Sequence, residues 1–240
     1  MIYQGDCLEL LETIDDDSVD FVLTDPPYAK TECHWDKPVD LGLLMKHLHR
    51  VTKPSGAIAI FSAQPFTTDL VNASRDTFKY CWYWVKNKSY GFTHAKNKPL
   101  NKLEEICIFS RGSVAHQKYS SRMAYFPQGV VAGKTKVVKP GLSPNIQPRP
   151  KQVGKEYQSY SNFPTNVLEY SKEAKSLHPS QKPVELLKYL IRTYTVECET
   201  VLDCFAGSGS TGVAAKETGR EWVMMEREEK YIEIIKGRMG

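Results

Sequence analysis

The sequence predicts an α/β fold built on a doubly wound, mostly parallel sheet, with an irregular basic insert. Three observations carry that prediction. Short apolar runs of strand length alternate with longer amphipathic stretches. A glycine-rich turn stands between an apolar run and a helical pattern near the C-terminal end. Polar residues with chemical potential follow directly on the apolar runs, where an open sheet of this kind places its ligands.

The first strand expected is Phe21–Thr24, the end of the apolar run Val19-Asp20-Phe21-Val22-Leu23-Thr24. A helix around Pro38–Val51 and a strand at Ala57–Phe61 follow, then a helix around Thr67–Ser74. Strands are expected at Tyr80–Val85 and Ile106–Ser110. The last third repeats the alternation. A helix at Pro183–Thr193 carries Leu186, Leu187, Leu190, Ile191 and Tyr194 as a stripe of period 3.6, and Pro183 suits its first position. Then come a strand at Thr200–Cys204, a helix at Ser210–Thr218, a strand at Trp222–Glu226 and a helix at Glu228–Arg238. Strands separated by helices imply parallel pairing. No internal repeat is evident.

Composition sets the broad class. The chain has 240 residues, 41% hydrophobic and 25% charged, which is ordinary for a globular protein with a sizeable core. No apolar run approaches the roughly 20 residues of a membrane span. The opening Met1-Ile2-Tyr3-Gln4-Gly5-Asp6 lacks the basic and apolar segments of a secretory signal. Six cysteines are scattered without a C-x-x-C pair. They read as reduced thiols of an intracellular, cytoplasmic protein. Cys33-His34 has no second ligand pair, so no metal site is expected.

The segment 111–177 breaks the alternation. It contains six prolines and few aliphatic residues. Eleven Lys/Arg stand there against three Asp/Glu, a net +8, so the rest of a chain of net +4 sums to −4. Seven aromatics lie among those basic residues: Tyr119, Tyr125, Phe126, Tyr157, Tyr160, Phe163 and Tyr170. Basic charge interleaved with aromatic rings suits phosphate contact and base stacking. Within it, 111–159 is read as a recognition insert, with 1–110 and 160–240 forming the main domain. Lys134, Lys136, Lys139, Arg149 and Lys151 are its candidate nucleic-acid phosphate contacts.

Asp25-Pro26-Pro27-Tyr28 closes the first expected strand. Proline fixes its own φ and restricts the residue before it, and neither proline has an N–H to compete. Such a corner suits a planar ring with an exocyclic amine. Asp25 and a prolyl carbonyl accept the two N–H bonds, and Tyr28 stacks on the ring. A tight turn at the end of a strand is the plain alternative.

Val201-Leu202-Asp203-Cys204-Phe205-Ala206-Gly207-Ser208-Gly209-Ser210-Thr211-Gly212 reads as strand, glycine turn and helix start. Glycines let the backbone approach a ligand closely, and free N–H groups at the helix start favour an anionic or polar group. Glu226 ends the next strand, 23 residues past Asp203, where a carboxylate can accept from both ribose hydroxyls. His178-Pro179-Ser180-Gln181-Lys182-Pro183 gathers a cation, a hydroxyl and a helix N-terminus. Those groups suit a free carboxylate; a simple helix entry is equally open.

With these pieces in this order, the chain resembles the amino-group DNA methyltransferases that use S-adenosylmethionine. The Asp-Pro-Pro-Tyr motif comes first, a variable insert second and Phe205-Ala206-Gly207-Ser208-Gly209 last, the permuted order of the beta group. The match covers roughly 1–110 and 160–240. It implies the class I S-adenosylmethionine-dependent methyltransferase fold, a Rossmann-like sheet. It implies a cofactor site of Asp6, Cys7, Asp25, His178, Ser180, Lys182, Asp203, Phe205, Gly207, Ser208, Gly209 and Glu226. Asp203 is then near the methionine amine, Glu226 on the ribose and Asp6 on the adenine amino group. Asp25, Pro26, Pro27 and Tyr28 form the catalytic corner. The family often has His-Glu where this chain has Glu104-Glu105, and no role carries over to that pair.

The implied reaction is direct displacement by the amine of a base flipped out of double-stranded DNA. There is no Pro-Cys dipeptide, which the carbon-5 cytosine family uses as its nucleophile. In resembling families Asp at the first motif position goes more often with adenine N6 and Ser with cytosine N4, so adenine is favoured. Cytosine N4, RNA as substrate and a non-catalytic nucleic-acid-binding subunit remain alternatives. The family allows a homodimer and a restriction nuclease encoded as a separate chain.

Overall fold

The computed structural model describes residues 1–28, 38–115, 122–139, 153–172 and 181–240. The chain divides into two compact units, Met1–Phe126 with Asn166–Gly240, and Pro127–Thr165. The sequence reading set the insert at 111–159. Residues 122–126 instead belong to the larger unit, where Met123 is buried in its core.

The larger unit begins with β1 (Ile2–Gln4) and α1 (Cys7–Glu12). β2 (Val19–Thr24) follows, with all six residues buried, as a central strand covered on both faces requires. Next come α2 (Leu41–Val51), β3 (Thr52–Ser62), α3 (Phe66–Ala73), β4 (Phe78–Tyr90) and β5 (Asn101–Phe109). The smaller unit holds β6 (Val131–Val137) and β7 (Glu156–Ser161), an antiparallel pair of largely exposed residues. The larger unit resumes with β8 (Val167–Glu169), α4 (Val184–Tyr194), β9 (Thr200–Asp203), α5 (Ser210–Glu217), β10 (Glu221–Glu226) and α6 (Glu229–Met239).

Among the described residues the large sheet has eight strands in the order β1-β10-β9-β2-β3-β5-β4-β8. All neighbours pair in parallel except β5, which is antiparallel to β3 and β4. The ten residues between β4 and β5 include no α-helix, and so short a connection permits only antiparallel return.

Side-chain alternation along β2 divides the core. Phe21 and Leu23 face a layer formed by Leu186, Leu187, Leu190, Ile191 and Tyr194 of α4 with Ala214 and Ala215 of α5. Val22 faces Leu11 of α1, Leu44, Met45, Leu48 and Val51 of α2, and Phe66 and Leu70 of α3. Helices therefore cover both faces, as a doubly wound sheet demands. Asp40 caps α2 by accepting from the Leu43 N–H at 2.9 Å, which satisfies an otherwise unpaired donor. Pro183 stands one residue outside α4, at its cap with φ −61° and ψ 129°. Its extended ψ keeps it out of the first helical turn, where the sequence reading had set it.

The direction of winding changes between β2 and β9. The helix after β2, α2, covers one face, and the helix after β9, α5, covers the other. A crevice at the carboxyl ends of the strands belongs at that switch point.

Candidate active site

Asp25 follows β2, Asp203 ends β9 and Glu226 ends β10, so three carboxylates stand at the carboxyl ends of three neighbouring strands. They line one cavity of about 470 Å³. Asp6, Cys7, Pro26, Pro27, Tyr28, Lys182, Phe205, Gly207 and Ser208 line the same cavity. Residues from both ends of the chain and its centre therefore meet at the switch point.

The turn after β9 holds two glycines of positive φ, Gly207 at 51° and Gly209. Gly209 caps α5 with φ 76°, a left-handed conformation that favours glycine. A Cβ there would meet Ile235 Cγ1 at 3.0 Å. Gly212 lets α5 lie against β10, since a Cβ would run into the Met224 side chain. The Gly207 N–H donates to Glu226 Oε2 at 2.8 Å, and the Glu228 N–H donates to Oε1 at 2.8 Å. These bonds aim the Glu226 carboxylate across the turn. Burial raises its pKa, against the pull of those backbone donors.

Asp203 is 4% exposed. Thr24 Oγ1 donates to its Oδ1 at 2.7 Å and the Phe205 N–H donates to the same oxygen at 3.1 Å. The Cys204 N–H donates to Thr24 Oγ1 at 3.2 Å. Burial pushes the Asp203 pKa up to about 6, opposed by the hydrogen bonds from Thr211, Thr24 and the Phe205 N–H. Asp6 caps α1, accepting from the Leu8 N–H at 2.9 Å. Cys7 is buried in the first turn of α1, and burial, with Asp6 beside it, pushes its thiol up to about 12.

The corner after β2 is tied into an ionic chain. Tyr28 donates its hydroxyl to Asp25 Oδ1 at 2.7 Å, and Lys182 Nζ donates to Oδ2 at 2.6 Å. Lys182 also lies 2.8 Å from Glu104 Oε1, and Lys86 lies 2.5 Å from Glu104 Oε2. Lys182 and Glu104 are both buried. Burial raises the Asp25 pKa; the Lys182 charge pulls it down, and Glu104 pushes it up. For Glu104 burial also pushes upward, but Lys182 and Lys86 together outweigh it and hold the group below its ordinary value. Lys182 is held above the ordinary lysine value because its two carboxylates outweigh burial. The Tyr28 ring lies against Phe66, centroids 4.9 Å apart at 32°.

Of the residues singled out from sequence, the catalytic corner and the cofactor positions among the described residues, Gly209 aside, line this cavity. Gly209 shapes the turn as the cap of α5. His178, Ser180, Arg149 and Lys151 lie outside the described residues, as do Cys33 and His34. Lys134 and Lys136 are exposed on β6, two residues apart and so on one face, and Lys139 is exposed just beyond it. Among the described residues no group of three or more His, Cys, Asp or Glu is placed to hold a metal ion. No described helix is long and apolar enough to cross a membrane.

Sequence reasoning missed Thr24, Lys86 and Glu104. The signal for the last two was charge set directly against apolar strand residues, in Trp84-Val85-Lys86 and in Leu103-Glu104-Glu105-Ile106. Such a charge is expected to be paired when buried.

The fold and the cavity define a doubly wound α/β protein whose switch-point pocket joins a glycine turn to the Asp25–Tyr28 corner. The N6_N4_Mtase family model, described as DNA methylase, matches residues 19–237. The chain belongs to that family and is a DNA methyltransferase of the N6/N4 amino-group type. It is 26% identical over 246 residues to the type II methyltransferase M1.MboII of Moraxella bovis, covering 96% of this chain and 93% of the relative. It is 25% identical over 270 residues to the type II methyltransferase M.HinfI of Haemophilus influenzae, covering 99% and 67%. Its fold is similar to that of the PvuII DNA methyltransferase (cytosine-N4-specific), with a TM-score of 0.71 at 17% identity, covering 100% of this chain and 86% of the other. It is also similar to M1.HpyAVI, solved as a complex with S-adenosylmethionine, with a TM-score of 0.63 at 21% identity and coverage of 100% and 99%.

Proposed function

We propose that this chain methylates adenine at N6 in double-stranded DNA, with S-adenosylmethionine as methyl donor. The supporting observation is that the Asp25 corner and the glycine turn share one cavity of about 470 Å³. A base amine and a nucleoside-type cofactor can therefore meet without any intervening wall.

The residues present suit that cofactor. Glu226 offers oriented carboxylate oxygens for ribose hydroxyls, and Asp203 a buried acceptor for an amine. The turn from Phe205 to Ser208 offers backbone close to a ligand. Asp6 stands in the cavity as acceptor for an adenine amino group. When bound, S-adenosylmethionine supplies a methyl group on a positively charged sulfur.

The chain's own groups then act on the acceptor. The target base leaves its stack, and the Tyr28 ring replaces part of the lost stacking, worth about 1–3 kcal/mol. Its amine donates one N–H to Asp25 and the other to the Pro26 carbonyl. These bonds favour a pyramidal nitrogen with its lone pair released from the ring. Each carboxylate oxygen has two acceptor directions, so the Tyr28 and Lys182 bonds leave room for the amine. Lys182 opposes the effect of burial on Asp25 and donates to its Oδ2. The nitrogen gains the methyl and sheds a proton, and Asp25 is the base hydrogen-bonded to it. Alignment is the main source of acceleration, for which proximity can contribute about 7–11 kcal/mol.

In this reading the unit Pro127–Thr165 supplies target recognition through Lys134, Lys136 and Lys139. A homodimer and a separately encoded nuclease are compatible with it.

The test is to incubate the protein with S-adenosylmethionine and unmethylated DNA, digest to nucleosides and analyse by mass spectrometry. N6-methyladenine is expected. N4-methylcytosine would move the assignment to cytosine with the same corner, and no methylated nucleoside would overturn the reading.

A further inference from the structure

Three lysines line the cavity beside Asp25 and Glu104: Lys86, Lys172 and Lys182. Two of them are neutralised. Lys182 is paired with both carboxylates, and Lys86 with Glu104. Among the described residues no carboxylate pairs with Lys172. Three cations against two anions leave one positive charge over, and it resides on a half-buried side chain.

Lys172 is held by an aromatic surface instead. Its Nζ lies 5.0 Å from the Tyr90 ring centre, and Lys86 Nζ lies 5.2 Å from the same ring and 5.0 Å from that of Trp84. An aromatic face stabilises a cation by only about 0.5–2 kcal/mol. It does not cancel the charge. Burial lowers the Lys172 pKa, and Lys86 and Lys182 lower it further, only partly offset by Glu104 and Asp25. An incoming anion would relieve that repulsion; a neutral group would not.

We propose that Lys172, with Lys86 beside it on Tyr90, forms a subsite for a phosphate of the nucleic-acid substrate. This rests on the DNA-methylating reading above. The same chemistry would accept the cofactor's carboxylate, and the sheet order separates the two sources. The cofactor turn and its carboxylates belong to β9, β10 and α1, on one side of β2. Lys172 follows β8, which lies four strand positions beyond β2 on the opposite side, and Tyr90 ends β4 next to it. Asp25 stands between. A base whose amine reaches Asp25 from the β4 side would therefore bring its own backbone toward Lys172, while Asp203 and Glu226, which would hold the cofactor, lie on the other side of β2.

The experiment follows kcat/KM for methyl transfer from labelled S-adenosylmethionine to unmethylated plasmid DNA across a salt series. It compares wild type with Lys172→Gln and Lys172→Arg, and measures S-adenosylhomocysteine binding by calorimetry for each. The expected result is a log–log salt slope shallower by about 0.7–0.9 in Lys172→Gln, rescue in Lys172→Arg and unchanged S-adenosylhomocysteine affinity. An unchanged slope overturns the subsite even where methylation proceeds. Weakened S-adenosylhomocysteine binding with an unchanged slope assigns the anion to the cofactor and also overturns it. Absence of methyl transfer by the wild type would instead remove the functional reading on which the subsite depends.

Discussion

Replacing Lys182 with methionine keeps an unbranched chain of similar length and deletes the charge that joins Asp25 to Glu104. The lysine is 8% exposed and reaches the two carboxylates at 2.6 and 2.8 Å. Removing one partner from a buried ionic group costs about 3–5 kcal/mol, because the remaining charge stays desolvated. Each carboxylate here keeps one partner, Tyr28 for Asp25 and Lys86 for Glu104. The lower end, about 3 kcal/mol, therefore applies. For a chain of this length that corresponds to a fall in Tm of roughly 6–12 °C. Activity should change in a defined direction too. Lys182 draws the Asp25 pKa down against burial, so its loss lets that pKa climb. The acid limb of the kcat/KM profile, which reports the ionised carboxylate, moves to higher pH. Thermal denaturation and a pH–rate series measure both. The double variant Lys182→Met/Glu104→Gln removes one carboxylate charge along with the lysine and should recover part of the lost Tm. A Tm within about 2 °C of wild type, together with an unmoved acid limb, would refute the ionic chain as a coupled unit.

Asp25→Ala should nearly abolish methyl transfer; wild-type turnover would sink the proposed mechanism. Tyr28→Ala should lower turnover by roughly 5–150-fold, the equivalent of about 1–3 kcal/mol of stacking, with a smaller deficit when the target base is mismatched and cheaper to flip. Asp203 gives a stability test. Its folded pKa of about 6 lies above the ordinary 3.8, so between those values the folded state holds more protons than the unfolded state. Stability from this group is therefore present below the lower value and is lost as pH rises through the upper one, by about 3 kcal/mol. Denaturant melts should show Asp203→Asn gaining on wild type from pH 4 to pH 7, and a gap that stays constant would contradict the assignment.

The sequence was most readable where structure is local. Phe21–Thr24 and Ala57–Phe61 were found because continuous apolar runs mark strands buried on both faces, and α4 because its leucines keep a strict helical period. β1 and β8 have three residues each, too few for a period. They exist through pairing, β1 with β10 and β8 with Trp84 and its neighbours. β6 and β7 expose nearly every residue, so no apolar alternation announces them. The site divides along the same line. Asp25 to Tyr28 and Phe205 to Gly209 are continuous in the chain and could be read as motifs. Lys86, Glu104 and Lys182 meet only because β4, β5 and the entry to α4 are brought together by the sheet. The pairing register of β4 and β5, Trp84 opposite Glu104, decides which of two adjacent glutamates turns toward the cavity. Glu105 points elsewhere, to Thr67.

The Thr24 hydroxyl bears on how the two halves of the pocket stay in step. It donates to Asp203 and accepts from the Cys204 N–H, and the next residue along its own strand is Asp25. This side-chain link adds to the backbone pairing of β2 with β9 at the seam where the sheet changes winding direction, joining the Asp25 corner to the turn after Asp203 like a dowel between two boards. Thr24→Val, which swaps the hydroxyl for a methyl of similar size, would draw the dowel while leaving both boards in place.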